Sequence, residues 1–210
     1  MDNGHDLYLA LQRLDLIKNS PENWWPNAYT FEVLIGAILT QNTQWTQVEV
    51  SLKNLQENHI LSLDRLADVE IELLIECIRP SGFYKAKSKN IKMLSQNILS
   101  DFGDFDTFQF EVSREWLLAQ RGIGPESADG ILCFGCQRDV MVVDKYTQQL
   151  VSALGYEAES YEDLQSWCIR DFVSEHPHHD FALFHGMIVE YMKKYKKGKK
   201  IDIVLLKTLL

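Results

Sequence analysis

No apolar stretch in this chain approaches the roughly 18 residues that a membrane-spanning helix requires, so a span is not expected. The opening residues, MDNGHDLYLALQRLDLIKN, alternate charge with apolar side chains and lack the apolar core of a secretion signal. Strand-like alternation is scarce, and neither an internal repeat nor a low-complexity tract is visible. Cysteine is sparse. Cys133-x-x-Cys136 has no second close pair beside it, only Cys77 and Cys168 far away, so the four are expected to be core thiols and no metal is expected. A cytoplasmic protein with reduced thiols is the resulting expectation. Positive charge is also short, 21 basic against 30 acidic residues for a net of −9. Taken whole, that excludes a nonspecific binder of nucleic acid or of anionic membranes.

What the chain has is 210 residues, 46% of them apolar and 11% aromatic, enough for one compact domain or two small ones. The charge is segregated. Arg79 to Lys92 holds five basic residues and no acid, and Lys193 to Lys200 holds six lysines and no acid. The remaining 188 residues then carry 10 basic against 30 acidic. Helical spacing of apolar residues dominates, and about ten helices are expected in an all-α chain. Leu7, Leu11, Leu14 and Ile17 outline the first, and Phe31 to Leu39 the second. A third covers about Val48 to Leu55, and Asp68 is placed to cap one running to Ile78. Lys85 to Leu99 reads as a basic-faced helix, Ser113 caps a short one, and Pro125 opens another. Val140 to Val143 is the one extended stretch, followed by helices near Tyr146–Leu154, Leu164–Val173 and Phe181–Tyr195.

The sharpest local pattern is LLAQRGIGPESADGILCFG, Leu117 to Gly135. A short helix runs into Gly122-Ile123-Gly124 and a second starts at once. Glycines permit positive φ in so tight a turn, and they let backbone N–H groups approach a ligand unobstructed. The first turn of the second helix favours an anion at the same spot, while Ile123 would plug the hairpin into the core. Without further context a plain helix–turn–helix corner explains the pattern equally. Twenty residues past Gly124, the apolar run VMVV ends in Asp144, a carboxylate at the lip of a core. It suits both a helix N-cap and a catalytic carboxylate.

A glycine hairpin followed about twenty residues later by V-V-D resembles the helix-hairpin-helix DNA glycosylase superfamily, of which endonuclease III is the familiar member. Other strings match in order. Leu39-Thr40-Gln41-Asn42-Thr43-Gln44 is similar to an early L-x-Q-x-T element. Gly82-Phe83-Tyr84-Lys85-Ala86-Lys87 is similar to a G-x-Y-x-x-K-A element. His178-His179 with Phe184-His185-Gly186 is similar to a late H-H…H-G element. The resemblance covers roughly residues 25 to 190. It implies an all-α fold of two helical domains with a cleft between them, one formed by 22–136 and the other by 1–21 plus 137–210. It also implies Asp144 as the catalytic carboxylate and Gln41 as the residue that fills the gap left by a flipped nucleotide. DNA contacts are implied from Lys85, Lys87 and Lys89 and from Gly122, Gly124 and Ser127 of the hairpin.

Departures from the family pattern narrow the implied activity. Bifunctional members carry a lysine just after the hairpin whose amine attacks the sugar, and Glu126 stands there instead. Lys145 is the nearest amine in sequence. No cysteine follows Cys168, so the iron–sulfur loop of endonuclease III has no ligands and no cofactor is implied. His176, His178, His179 and His185 fall on the late element and are expected to be structural. Trp24-Trp25-Pro26 and Trp45, with Asp144-Lys145-Tyr146, resemble the 3-methyladenine branch. There Trp24, Trp25, Pro26, Trp45 and Lys145 would line the base pocket, since an indole face attracts a cationic purine by about 0.5–2 kcal/mol. The implied protein is a monofunctional, monomeric glycosylase acting on double-stranded DNA with damaged bases. The alternatives are a glycosylase for oxidised or mismatched pyrimidines and a noncatalytic hairpin DNA-binding protein.

Overall fold

A computed structural model of the chain describes residues 3–209. In chain order its helices are α1 (Gly4–Gln12), α2 (Phe31–Leu39), α3 (Trp45–Glu57), α4 (Leu63–Asp68), α5 (Ile71–Ile78), α6 (Tyr84–Phe102), α7 (Phe105–Glu111), α8 (Arg114–Leu118), α9 (Pro125–Gly130), α10 (Lys145–Ala153), α11 (Tyr161–Ile169), α12 (Pro177–Tyr195) and α13 (Val204–Leu209). A π-helical turn, Ile131–Gly135, extends α9. The only strands among the described residues are β1 (Lys196–Lys197) and β2 (Lys200–Ile201). The chain is all-α, in two compact units, one of residues 27–136 and one formed by residues 1–26 together with 137–210. The front boundary therefore falls after Pro26 rather than after residue 21. Trp24 is the reason, because its side chain packs within the terminal unit against Gly186 and Glu190.

In the 27–136 unit, α2 is the central helix. Every residue from Val33 to Leu39 is buried, so its apolar sequence needs no polar face. The π-helical turn lies against it. A Cβ on Gly135 would come within 3.3 Å of Leu34 Cδ1, a close approach that only a glycine gives without displacing its neighbour. The helix expected to be capped by Asp68 and to run to Ile78 starts later, with Glu70 as its N-cap. Asp68 ends α4, and α5 starts at Ile71. Two side chains of α6 stabilise the break, Lys92 Nζ donating to Val69 O at 2.7 Å and Gln96 Nε2 to Ala67 O at 2.9 Å. Helix α7 has no counterpart in the sequence reading. Asp104 caps it, accepting from Thr107 N at 2.7 Å, and Phe108 buries its core face.

In the terminal unit, α12 is the central helix, with Phe181, Phe184, Met187, Ile188, Tyr191 and Met192 buried among Leu7, Leu11, Leu150, Val151, Leu164 and Trp167. Helix α1 is shorter than its apolar spacing suggests. It stops at Gln12, and Leu14 and Ile17 pack against the core from the turns that follow, where Asp15 takes φ 48°. The Val140–Val143 stretch is extended but joins no sheet. The lysine run 193–200 closes α12 and forms the β1–β2 hairpin.

Candidate active site

The buried segment Met141–Val143 has no strand partner, so its backbone polar groups need other partners. Gln165 Nε2 donates to Met141 O at 2.7 Å, and His185 Nδ1 lies 3.0 Å from Val142 O. A carbonyl only accepts, so Nδ1 carries the proton. His185 is 5% exposed, and burial pushes its pKa down, with the Asp144 carboxylate and the Val142 carbonyl pulling the other way. The ring is thus held neutral near pH 7. These two side chains fix the path that delivers Asp144 to the start of α10.

Asp144 caps α10 through a reciprocal box. Its Oδ1 accepts from Thr147 N at 2.8 Å and from Thr147 Oγ1 at 2.9 Å, and Asp144 N lies 3.3 Å from Thr147 Oγ1. Both readings of this residue, cap and catalytic carboxylate, are therefore compatible. One carboxylate oxygen is committed to the helix, while Oδ2 receives no hydrogen bond from any described residue. The side chain is half-buried, so Oδ2 is open to a ligand or a water. Lys145 beside it is exposed.

The same unit sets the Trp24 indole beside His185, with Trp25 against Trp24. Trp24 and His185 meet edge to face with centroids 5.3 Å apart, and Trp24 and Trp25 do so at 6.2 Å. Trp24 Nε1 donates to Glu190 Oε1 at 3.3 Å, and its ring covers Gly186, where a Cβ would lie 2.3 Å from Trp24 Cγ. The His-Gly pair of α12 is explained by this packing, the histidine securing the Asp144 segment and the glycine making room for Trp24. His185 was read from the sequence only as structural, and its place next to Asp144 is what that reading missed. Pro26 is half-buried at the unit's edge.

The 27–136 unit carries the hairpin and Trp45. Gly122 has φ +80°, and a Cβ there would meet Asn90 Nδ2 of α6 at 2.0 Å, so this position needs glycine twice over. Gly124 differs from expectation. It is extended, with φ −98° and ψ −179°, and nothing lies within 4 Å of a Cβ placed on it. Ile123 is 6% exposed and plugs the turn. Gln41 Nε2 donates to Gly122 O at 2.8 Å and to Ser127 Oγ at 3.0 Å, which ties the end of α2 to the hairpin. Arg114 on α8 grips the fully buried Asp129 on α9 with two bonds, of 2.6 and 3.2 Å, and braces the hairpin's flanking helices. Trp45 opens α3 in the same unit and is half-buried.

Of the five basic residues in Arg79–Lys92, Lys87 and Lys92 are committed inside the protein, while Arg79, Lys85 and Lys89 stay exposed. Arg79 pairs with Glu76, and Lys92 holds Val69 O. Lys87, expected to touch DNA, is instead 3% exposed. Its Nζ donates at 2.8 Å to each of Leu39 O, Thr43 Oγ1 and Ser81 O, so all three of its protons are taken. Burial pushes its pKa down to about 8. Periodicity could not separate this lysine from its neighbours, because a long aliphatic stem suits either face of a helix. Lys85 and Lys89 remain exposed on α6. His178 lies 3.7 Å from Asp139 and His179 3.8 Å from Asp180. Among the described residues no three His, Cys, Asp or Glu side chains converge as metal ligands, and no helix is long and apolar enough to cross a membrane.

Comparison with known proteins agrees with this geometry. Residues 35–167 match the HhH-GPD superfamily of base excision DNA repair proteins. A candidate DNA repair glycosylase of Methanocaldococcus jannaschii is 32% identical over 213 residues, covering 95% of this chain and 93% of that protein. Among solved structures, the 3-methyladenine DNA glycosylase of H. pylori, bound to 1,N6-ethenoadenine, superposes with a TM-score of 0.88 at 44% identity, over 93% of this chain and 100% of that one. Endonuclease III in a non-covalent DNA complex has a TM-score of 0.78 at 18% identity, over 99% and 95% of the two chains, a likeness of fold alone. This chain belongs to the HhH-GPD superfamily and is a DNA glycosylase of its helix-hairpin-helix, endonuclease III-like class.

Proposed function

We propose that the protein is a monofunctional glycosylase that removes alkylated purines, chiefly 3-methyladenine, from duplex DNA. The observation that carries this reading is Asp144, whose Oδ1 caps α10 while Oδ2 stays without a protein partner beside a neutral imidazole. A charged His185 would neutralise the carboxylate, and a neutral one leaves its full charge for the sugar. The flipped nucleotide carries a cationic base. Its C1′–N bond breaks with the electron pair going to the base, which leaves as a neutral molecule and needs no general acid. The sugar becomes cationic at C1′, Asp144 stabilises it, and a water adds there, losing its proton to the carboxylate. This is the single-carboxylate half of the glycosidase scheme.

The substrate class is supported by the indoles of Trp24 and Trp25 in the same unit as Asp144, by the resemblance that assigns Pro26, Trp45 and Lys145 to base binding, and by 44% identity to an enzyme named for 3-methyladenine. Hydrolysis without strand cleavage is supported by Glu126, exposed in the first turn of α9 where a lyase would carry its amine. A carboxylate cannot form an imine. Gln41 fills the gap left by the flipped nucleotide, Gly122, Gly124, Ser127, Lys85 and Lys89 supply the proposed backbone contacts, and the enzyme acts as a monomer.

Asp144→Asn tests the reading. Asparagine caps a helix as well as aspartate, so the melting temperature should stay within about 2 °C. The lost charge is worth roughly 4 kcal/mol at about 4 Å in an effective dielectric of 20, so single-turnover release of 3-methyladenine should fall about 10³-fold. A rate within tenfold of the parent would refute the mechanism.

A further inference from the structure

The lysines of 193–200 are not a loose tail. Lys193 Nζ pairs with Glu190 at 2.8 Å, and Tyr191 OH donates to Asp202 O at 2.6 Å on the far side of the hairpin. Asp202 N in turn donates to Tyr195 O at 3.0 Å. Lys196 stacks its ammonium 5.3 Å from the Tyr146 ring of α10. Strands β1 and β2 pair Lys196 with Ile201 and Lys197 with Lys200, and Gly198 takes φ +59° at the first position of the two-residue turn, as in a type II′ hairpin. Lys197 and Lys200 therefore face each other directly, an arrangement that costs stability unless an anion lies between or above them. Lys197, Lys199 and Lys200 are exposed, and no carboxylate among the described residues pairs with them.

A recess of about 360 Å³ opens beside this turn, lined by Gln149, Ser152 and Ala153 of α10 and by Lys196, Gly198, Lys199 and Ile201. Gln149 Oε1 is buried without a hydrogen-bond partner. Turned by half a rotation, the same amide offers two N–H donors, which is what a phosphate oxygen needs. The recess begins five residues along α10 from Asp144, about 7.5 Å by helical rise. The other basic stretch has committed Arg79, Lys87 and Lys92 to protein partners. The hairpin thus gathers three exposed lysines without a carboxylate partner among the described residues, within four positions.

We propose that the Lys196–Ile201 hairpin and the recess under it form a second phosphate-binding site, one that holds the DNA backbone near the nucleotide that Asp144 acts on. The ligand is the phosphodiester backbone, and recognition is independent of sequence. The proposal rests on the reading of the protein as a DNA enzyme. Its test, however, reads binding and not base release, so the two fail separately.

The experiment measures binding of the full chain to a duplex with a central abasic analogue, and to the same duplex undamaged, from 50 to 200 mM KCl. The triple variant K197Q, K199Q, K200Q is compared with the parent, with K197R, K199R, K200R, and with K18Q, K53Q, K207Q as a control for net charge. Each lost phosphate contact removes about 0.9 from the slope of log K against log salt. The glutamine triple should be shallower by about 2–3, so that the parent loses about 40-fold more affinity than the variant over that range. The arginine triple should keep the parent slope, and the control triple should stay within about 0.5 of it. Equal slopes for parent and glutamine triple would overturn the proposal, as would an equal loss in the control triple. Equal slopes together with loss of binding to an acidic protein would assign the hairpin to a protein partner instead. Melting temperatures of all four proteins check that the hairpin remains folded.

Discussion

The two glycines of the hairpin look equivalent in sequence but are not equivalent in space, and replacing each by alanine separates folding from DNA binding. At Gly122 the φ of +80° is left-handed, which costs a side chain about 1–2 kcal/mol. The added Cβ would also lie 2.0 Å from Asn90 Nδ2, so that side chain must move, for about 1 kcal/mol more. The total, about 2–3 kcal/mol, lowers the melting temperature of a chain this size by about 5–10 °C. At Gly124 the backbone is extended and open. Alanine there loses about 0.5–1 kcal/mol as a cap and regains about as much from the unfolded chain. Its methyl group meets nothing in the free protein, so it can collide only with something that approaches the hairpin. Gly124→Ala should therefore melt within about 2 °C of the parent yet bind an abasic duplex at least tenfold more weakly. Thermal unfolding followed by circular dichroism, paired with fluorescence anisotropy on labelled duplex, reads both. If Gly124→Ala binds DNA as the parent does, or destabilises as much as Gly122→Ala, the account of the hairpin is wrong.

Lys87→Met should cost about 1–3 kcal/mol, because it strands the buried Leu39 carbonyl while Ser81 O keeps its bond from Thr43 Oγ1, and Lys85→Gln with Lys89→Gln should leave stability alone and flatten the salt dependence of DNA binding. The depressed Lys87 pKa sets a sign as well. Between about pH 8 and 10.5 the folded chain sheds this proton and the unfolded chain keeps it. The parent should therefore gain stability over Lys87→Met as pH rises through that window, and a difference that shrinks with pH would contradict the burial. Gly186→Ala drives a Cβ to 2.3 Å from Trp24 Cγ, so it should displace the indole and slow release of a cationic base more than it lowers the melting temperature. Unchanged kinetics would remove Trp24 from the site.

The elements with strong local chemistry were legible in the sequence. The hairpin was marked by Gly122, Ile123 and Pro125, and Asp144 by an apolar run ending in one carboxylate. What was hidden depended on long-range packing. Nothing local distinguishes Lys87, buried on Leu39, Thr43 and Ser81, from the exposed Lys85 and Lys89 two residues away on either side. The break after Asp68 exists because Lys92 and Gln96 satisfy the carbonyls it frees. His185 reaches Val142 across 43 residues, and the bond that holds Asp144 in position is therefore invisible to any window. The net charge of −9 looked hostile to DNA. The structure sharpens that by showing which lysines are committed to the fold and which are left over.

The central claim is tested most directly by offering the parent enzyme four duplexes, with 3-methyladenine, 7-methylguanine, thymine glycol or a G·T mismatch, and measuring released base together with strand cleavage before and after alkali. The account predicts release of 3-methyladenine fastest, with breaks appearing only after alkali. Release of thymine glycol or mismatched thymine ahead of 3-methyladenine, release of no base, or cleavage without alkali would contradict it.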